Sequence, residues 1–188
     1  MFKTRLLSGI LLVAIALATI IPGNDILFVL LLLISLIGMS ELYKVSRLQA
    51  SLPGIVGYAA AAAYYLLIRL EVKGPGENRI LKYIDGQGLA LLVIVFLIVL
   101  MAVYVFSYPK YVSEEMMLIF FGVFYVAVML SYVYRTRMIP EEGAYLVWLV
   151  FLCSWGCDTC AYCVGMLIGK HKMSPKLSPK KSVEGAVG

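Results

Sequence analysis

Charge is scarce in this chain. Only 14% of its 188 residues are Asp, Glu, Lys or Arg, and His171 is its one histidine. A soluble domain runs nearer a quarter charged, with about half its residues apolar. Here 62% are hydrophobic and the mean hydropathy is +0.94. A small domain surrounded by water cannot hide that much apolar surface. This excludes an ordinary cytosolic enzyme and a disordered tail. Cysteine is scarce too: all four fall between Cys153 and Cys163, which leaves no framework for a disulfide-stapled secreted module. The apolar runs are continuous, without the ten-residue alternation of an outer-membrane barrel. The composition predicts an all-α polytopic membrane protein.

Six apolar windows stand out: Leu6–Ile21, Ile26–Met39, Ile55–Ile68, Leu89–Phe106, Met116–Tyr134 and Ala144–Ile168. Turn residues or charges bound each one. Pro22-Gly23-Asn24-Asp25 predicts a helical hairpin between the first two, and Leu52-Pro53-Gly54 opens the third. Gly74-Pro75-Gly76 and Asp85-Gly86-Gln87-Gly88 mark the one long polar loop, Tyr108-Pro109-Lys110 follows the fourth window, and Ile139-Pro140-Glu141-Glu142 precedes the sixth. The second and third windows are short for a hydrocarbon core of about 30 Å. They either extend by snorkelling Glu41, Lys44 and Arg69 or insert only in part. The start, Met1-Phe2-Lys3-Thr4-Arg5 before an apolar run, also resembles a signal peptide. The tight turn into a second span favours a retained helix.

With the N-terminus in the cytoplasm, Lys3, Arg5, Lys44, Arg47, Lys110, Lys170, Lys172, Lys176, Lys180 and Lys181 lie inside. Arg69, Lys73, Arg79, Lys82, Arg135 and Arg137 then lie outside, a ratio of ten to six that leans toward this orientation. The net charge of +5 requires no nucleic acid, because it includes lysines facing anionic lipid. Residues 1–143 read as about five spans. Residues 144–188 read as a sixth span and a cytoplasmic basic loop.

Chemistry concentrates in the last 36 residues, from Cys153 to Gly188. Asp158 is the only acidic residue well inside an apolar window. A carboxylate buried there is costly unless it is paired, bound to metal or facing water. One alternative is a protonated Asp158 bonded to Ser35, Ser131 or a tyrosine hydroxyl. On a helix, Ser154, Asp158, Ala161, Tyr162 and Gly165 share a side that is polar or small. Such a stripe suits the wall of a hydrated cavity or close helix packing. Cys153, Cys157, Cys160 and Cys163 fall on another stripe, and at ~1.5 Å per residue the outer two stand about 15 Å apart. One tetrahedral centre with metal–sulfur bonds of about 2.3 Å cannot hold all four. They read as packing residues kept reduced.

The lysines beyond Gly169 set topology and touch anionic lipid even without a catalytic role. Their arrangement suggests more. Met173-Ser174-Pro175-Lys176 and Leu177-Ser178-Pro179-Lys180 are near copies, each with an extended serine before proline. Ser178 is predicted to cap a helix begun by Pro179, aiming free N–H groups, Lys180 and Lys181 at a phosphate. Glu184 falls further along that helix, within reach of a metal or a lysine.

At these residues the chain resembles the integral-membrane phosphatidate cytidylyltransferases, or CDP-diacylglycerol synthases. The resemblance rests on Asp158-Thr159, Ala161-Tyr162, Gly165, Gly169 to Lys172, Ser174-Pro175, Ser178 to Lys181 and Glu184-Gly185. It extends loosely to Lys3, Thr4, Arg5, Ser8, Gly9 and Glu41-Leu42-Tyr43. Cys157 stands where serine is usual, Cys160 where glycine is usual, Cys163 where phenylalanine is common, Ser182 for threonine and Val183 for a frequent tryptophan. Members of the family continue past the point matching Gly188 into further helices and a carboxylate signature, so the chain reads as an N-terminal portion.

The resemblance implies transfer of cytidylate from CTP to phosphatidic acid, giving CDP-diacylglycerol and pyrophosphate at the inner membrane, with Mg²⁺ as cofactor and a homodimer as the assembly. Asp158 is then a metal ligand and, with Lys180 and Lys181, part of the catalytic set. Lys170, His171, Lys172, Ser178 and Glu184 bind substrate, and other metal ligands lie in the C-terminal signature. Three rivals stand beside this reading: a CTP-dependent kinase or nucleotidyltransferase of another lipid such as a polyprenol, a non-catalytic scaffold or transporter fragment, and a cysteine-based redox or metal protein.

Overall fold

A computed structural model describes residues 2–73, 87–174 and 178–188, without the side chains of residues 2–8, 73, 179 and 180. The long polar loop predicted over 74–86 and the stretch 175–177 lie outside the described residues. Helices account for nearly all of the regular structure, in the order α1 (Phe2–Ile20), α2 (Asn24–Val45), α3 (Leu52–Lys73), α4 (Gly88–Phe106), α5 (Ser113–Arg137), α6 (Gly143–Ile168), a two-stranded hairpin and α7 (Val183–Val187). Five of them, α2 to α6, are long and apolar enough to cross a membrane, and in α1 the apolar stretch Gly9–Ile20 is shorter. This is the all-helical, multi-pass architecture the composition predicts.

The two short windows do extend. The 22 residues of α2 and the 22 of α3 take in Glu41, Lys44 and Arg69. At 1.5 Å per residue each helix is about 33 Å long, enough for the hydrocarbon core. The chain divides into two compact units, Met1–Glu141 and Glu142–Gly188.

In the first unit, lipid offers no hydrophobic drive for helix association, so close packing and hydrogen bonds must supply it. Ser35 Oγ and Tyr65 Oη bond at 2.8 Å between α2 and α3. Tyr64 Oη and Ser131 Oγ bond at 3.0 Å between α3 and α5. Tyr43 donates its hydroxyl to the Ile119 carbonyl at 3.0 Å, and Gly57 and Gly122 leave the space its ring fills. A Cβ on Gly122 would stand 2.6 Å from that ring. Just beyond, α5 widens into a π turn over Val123–Val128, as helices do where a side chain engages the hydrogen-bond ladder.

Charged latches close one end of this unit. Arg69 pairs with Asp25 at 2.9 Å and lies over the Phe28 ring. Arg135 pairs with Glu71 at 2.8 Å. Arg137 donates to the Ile20 and Ile21 carbonyls at 2.8 and 3.0 Å, satisfying acceptors left open at the end of α1. Gly23 is required at the turn that follows: its φ is +65°, and a Cβ there would meet the Arg137 guanidinium at 3.1 Å.

The second unit is α6 with the hairpin and α7. Strands β1 (Lys172–Ser174) and β2 (Ser178–Ser182) pair antiparallel, Lys172 opposite Ser182 and Ser174 opposite Ser178.

Candidate active site

Helix α6 ends where its glycines allow the chain to turn back on it. A Cβ on Gly169 would collide with the Gly165 carbonyl and stand 2.5 Å from Ser182 Oγ. A Cβ on Gly185 would lie 2.7 Å from the Ala161 carbonyl and 3.0 Å from Gly165 Cα. These missing side chains let α7 lie directly on the last turns of α6. Ser182 is buried at the centre and N-caps α7, its Oγ accepting the Gly185 N–H at 3.2 Å. The small-residue side of α6 predicted from Ala161 and Gly165 is thus used for packing.

This fold corrects one expectation. Ser178 and Pro179 begin a β-strand, not a helix, and the helix is capped four residues later, by Ser182. The Ser-Pro pair offers a good start signal for a helix, but pairing with β1 claims the backbone of Ser178 to Ser182 first. Ser182 carried its own signal, a serine with an acidic residue two positions on, in the first turn of the helix it caps.

Glu184 fastens the loop. Its carboxylate accepts the N–H of Lys170 at 3.1 Å, that of His171 at 3.2 Å and Nδ1–H of His171 at 2.6 Å. Its own backbone N–H, then the His171 ring, then the two loop amides hold its pKa down to about 2, so it remains ionised. The structure therefore joins Lys170, His171 and Glu184, three of the residues expected to bind substrate. Around them Lys170, His171, Lys172 and Lys181 are exposed and Ser178 is half-buried. The side chain of Lys180 lies outside the described residues.

Asp158 is on α6 as expected, but its side chain is exposed within the unit and not enclosed. A helix that is apolar all round does not announce which face its neighbours cover, and here α7 covers only its last turns. Asp158 lies one turn before Ala161, whose carbonyl touches Gly185, and on the same side of α6. Along the helix axis the backbone of Asp158 is about 5 Å from that of Ala161. No contact among the described residues ties it to the lysines. The four cysteines are free and exposed, and no three His, Cys, Asp or Glu side chains among the described residues converge on a metal position.

Residues 3–188 match the cytidylyltransferase family. The chain is 30% identical over 187 residues to a phosphatidate cytidylyltransferase of Staphylococcus saprophyticus, and 30% and 27% identical over the same length to those of Staphylococcus epidermidis and Staphylococcus aureus. Each alignment covers 99% of this chain and 66% of the relative, so the chain spans just under two thirds of their length. No solved structure matches it.

Proposed function

Because this chain belongs to the cytidylyltransferase family, we propose that the protein transfers cytidylate from CTP to phosphatidic acid in phospholipid biosynthesis. An oxygen of the lipid phosphate attacks the α-phosphorus of CTP, the bond from that phosphorus to the bridging oxygen breaks, and pyrophosphate leaves. The observation that carries the reading is the Glu184-fastened hairpin. It presents Lys170, Lys172 and Lys181 at the end of a membrane span, where a lipid headgroup and a water-soluble nucleotide both have access.

The work assigned to the protein is electrostatic. Exposed lysines neutralise phosphate charge as it shifts from the lipid to the leaving pyrophosphate, and the pinned hairpin fixes where they stand before substrate arrives. Glu184 serves this indirectly, since its oxygens are occupied by the loop. Ser178, half-buried at the start of β2, pairs with Ser174 and helps to hold the two strands together.

Magnesium belongs to the same proposal. It is characteristically held by one or two carboxylates, with phosphate oxygens and water completing its shell. Asp158 fits as one such ligand, and the ion would supply charge neutralisation on the triphosphate. The reading also takes the N-terminus as cytoplasmic, the membrane as the inner one, the assembly as a homodimer and nucleic acid as no partner. The ten-to-six lysine and arginine count supports the orientation.

The test is incorporation of labelled CTP into lipid by the full-length protein in mixed micelles, with phosphatidic acid and a polyprenol as parallel acceptors. CDP-diacylglycerol formation should fall by about a hundredfold or more in Asp158→Asn and by about tenfold in Lys181→Gln, with Cys157→Ser as the folded control. Product from the polyprenol alone, or an undiminished rate in Asp158→Asn, overturns the proposal.

A further inference from the structure

Cytidylyl transfer, as proposed above, has one place for a proton. The attacking phosphate oxygen is already ionised and needs no base. The oxygen that leaves the α-phosphorus gains charge as its bond breaks, and a positioned acid can protonate it in the transition state. Exposed lysines offset that charge, but an ammonium gives up its proton reluctantly at neutral pH, and an imidazolium readily. The chain has one histidine, His171, and it lies between Lys170 and Lys172.

The fold holds that ring in one orientation. On the backbone, the His171 N–H donates to the Glu184 carboxylate at 3.2 Å, and the His171 carbonyl accepts the Val183 N–H at 2.9 Å. On the ring, Nδ1 lies 2.6 Å from Glu184 Oε1. Glu184 is ionised and can only accept, so the hydrogen of that bond sits on Nδ1. Nε2 is left without a partner among the described residues, on a side chain that is 81% exposed. Lys170, Lys172 and Lys181 have no comparable anchor, since none is in an ion pair among the described residues. Charge neutralisation needs no fixed direction. Proton transfer does, because the donor must stay within hydrogen-bond reach of the atom it protonates. Magnesium is a poor occupant for Nε2, because it takes oxygen ligands.

We infer that His171 is the general acid of this reaction, giving its Nε2 proton to the departing pyrophosphate, with Glu184 as its positioning residue. The inference rests on the cytidylyl-transfer reading. In the step, an oxygen of the lipid phosphate bonds to the α-phosphorus of CTP. The bond from that phosphorus to the α,β-bridging oxygen breaks, its electron pair stays on that oxygen, and the oxygen takes the proton from Nε2. The ring, still bearing its Nδ1 hydrogen toward Glu184, then recovers a proton from water.

The test varies the leaving group, using the full-length protein in mixed micelles with phosphatidic acid. CTP, β,γ-methylene-CTP and β,γ-difluoromethylene-CTP deliver the same cytidylate. They differ in the basicity of what leaves, which methylene raises and difluoromethylene lowers. In the unmodified protein the two analogues should turn over within about threefold of each other. His171→Asn keeps an N–H to offer Glu184 but has no acid. In that variant kcat with CTP should fall by about a hundredfold, KM should stay within about threefold, and the gap between analogues should widen to about tenfold or more. Glu184→Gln should widen the gap as well, since the ring loses its ionised anchor. Amide-exchange protection at Lys170 should survive in His171→Asn. A gap unchanged in His171→Asn, or turnover lost there together with that protection, would overturn the acid and leave cytidylyl transfer standing. Failure of the unmodified protein to form CDP-diacylglycerol from CTP would overturn the transfer reading, and the acid with it.

Discussion

The Glu184 carboxylate lies 2.6 Å from Nδ1 of His171, 13 residues earlier in the chain, and also accepts the backbone N–H groups of Lys170 and His171. Three donors on one carboxylate turn the link between α6 and β1 into a closed loop. The residues beside it are lysines, so the loop's shape decides where positive charge is displayed.

That arrangement sets a pH dependence. The Glu184 pKa is lowered from 4.5 to about 2 by its own amide, His171 and the loop amides. A group with a depressed folded pKa stabilises the fold above its unfolded value and ceases to do so as pH falls through the folded one. The latch should therefore be intact above pH 4.5 and released progressively between 4.5 and about 2. Amide exchange protection at Lys170 and His171, corrected for intrinsic rate, should collapse in that window. Glu184→Gln should lack this protection at neutral pH, and loss of loop placement of this kind costs about tenfold or more in turnover. Protection in Glu184→Gln equal to that of the unmodified protein would refute the latch.

Gly185→Ala tests how the hairpin is seated. The added methyl would stand 2.7 Å from the Ala161 carbonyl and 3.0 Å from Gly165 Cα, both backbone atoms that cannot swing aside. Overpacking of this sort costs about 1–3 kcal/mol, and here it should fall on the second unit alone. Limited proteolysis should cut Gly185→Ala faster beyond Gly169, with the pattern before Glu141 unchanged. Gly156→Ala, where a Cβ meets nothing within 4 Å, is the control.

How far the sequence reveals this protein depends on the range of the forces involved. Spans are legible because twenty apolar residues in a row are local information, as α4 and α6 show. The Arg137 cap on α1 and the π turn beside Tyr43 are not, since each joins residues far apart in sequence. At the candidate site, residue types and order point to the right segment, and the resemblance names its family. The local conformation is misread at Ser178 because a helix-start signal and a strand pairing compete there, and only the pairing partner Ser174 decides. Exposure of Asp158 is illegible for a related reason: hydropathy marks a span without saying which face is covered.

Paired hydroxyls should carry measurable stability inside the first unit. Tyr65 and Ser35 bond at 2.8 Å with both residues buried. Interhelical bonds of this type in membranes are worth about 0.6 kcal/mol on average and at most about 1.7. Tyr65→Phe and Ser35→Ala should each lower the unfolding midpoint in a denaturing-detergent titration. The double variant should cost less than the two singles summed, by about 0.5–1.5 kcal/mol. Strict additivity would mean that the bond contributes nothing.

The cysteines give the last prediction. Cys153, Cys157, Cys160 and Cys163 are free and exposed along α6, and no cluster of three metal-ligating side chains exists among the described residues. Their spacing matches the rise of a helix, so bringing all four to one ion would require unwinding the span, which leaves backbone groups unsatisfied in hydrocarbon. Four thiols per chain should therefore titrate in detergent without reductant, and the purified protein should carry no stoichiometric zinc or iron. Replacing all four with alanine should leave the span helical and change lipid-product formation by no more than about twofold, since none of the four is asked to bind substrate. A bound metal lost on that replacement, or a titration of two thiols where four are expected, would overturn the reading of these cysteines as reduced packing residues.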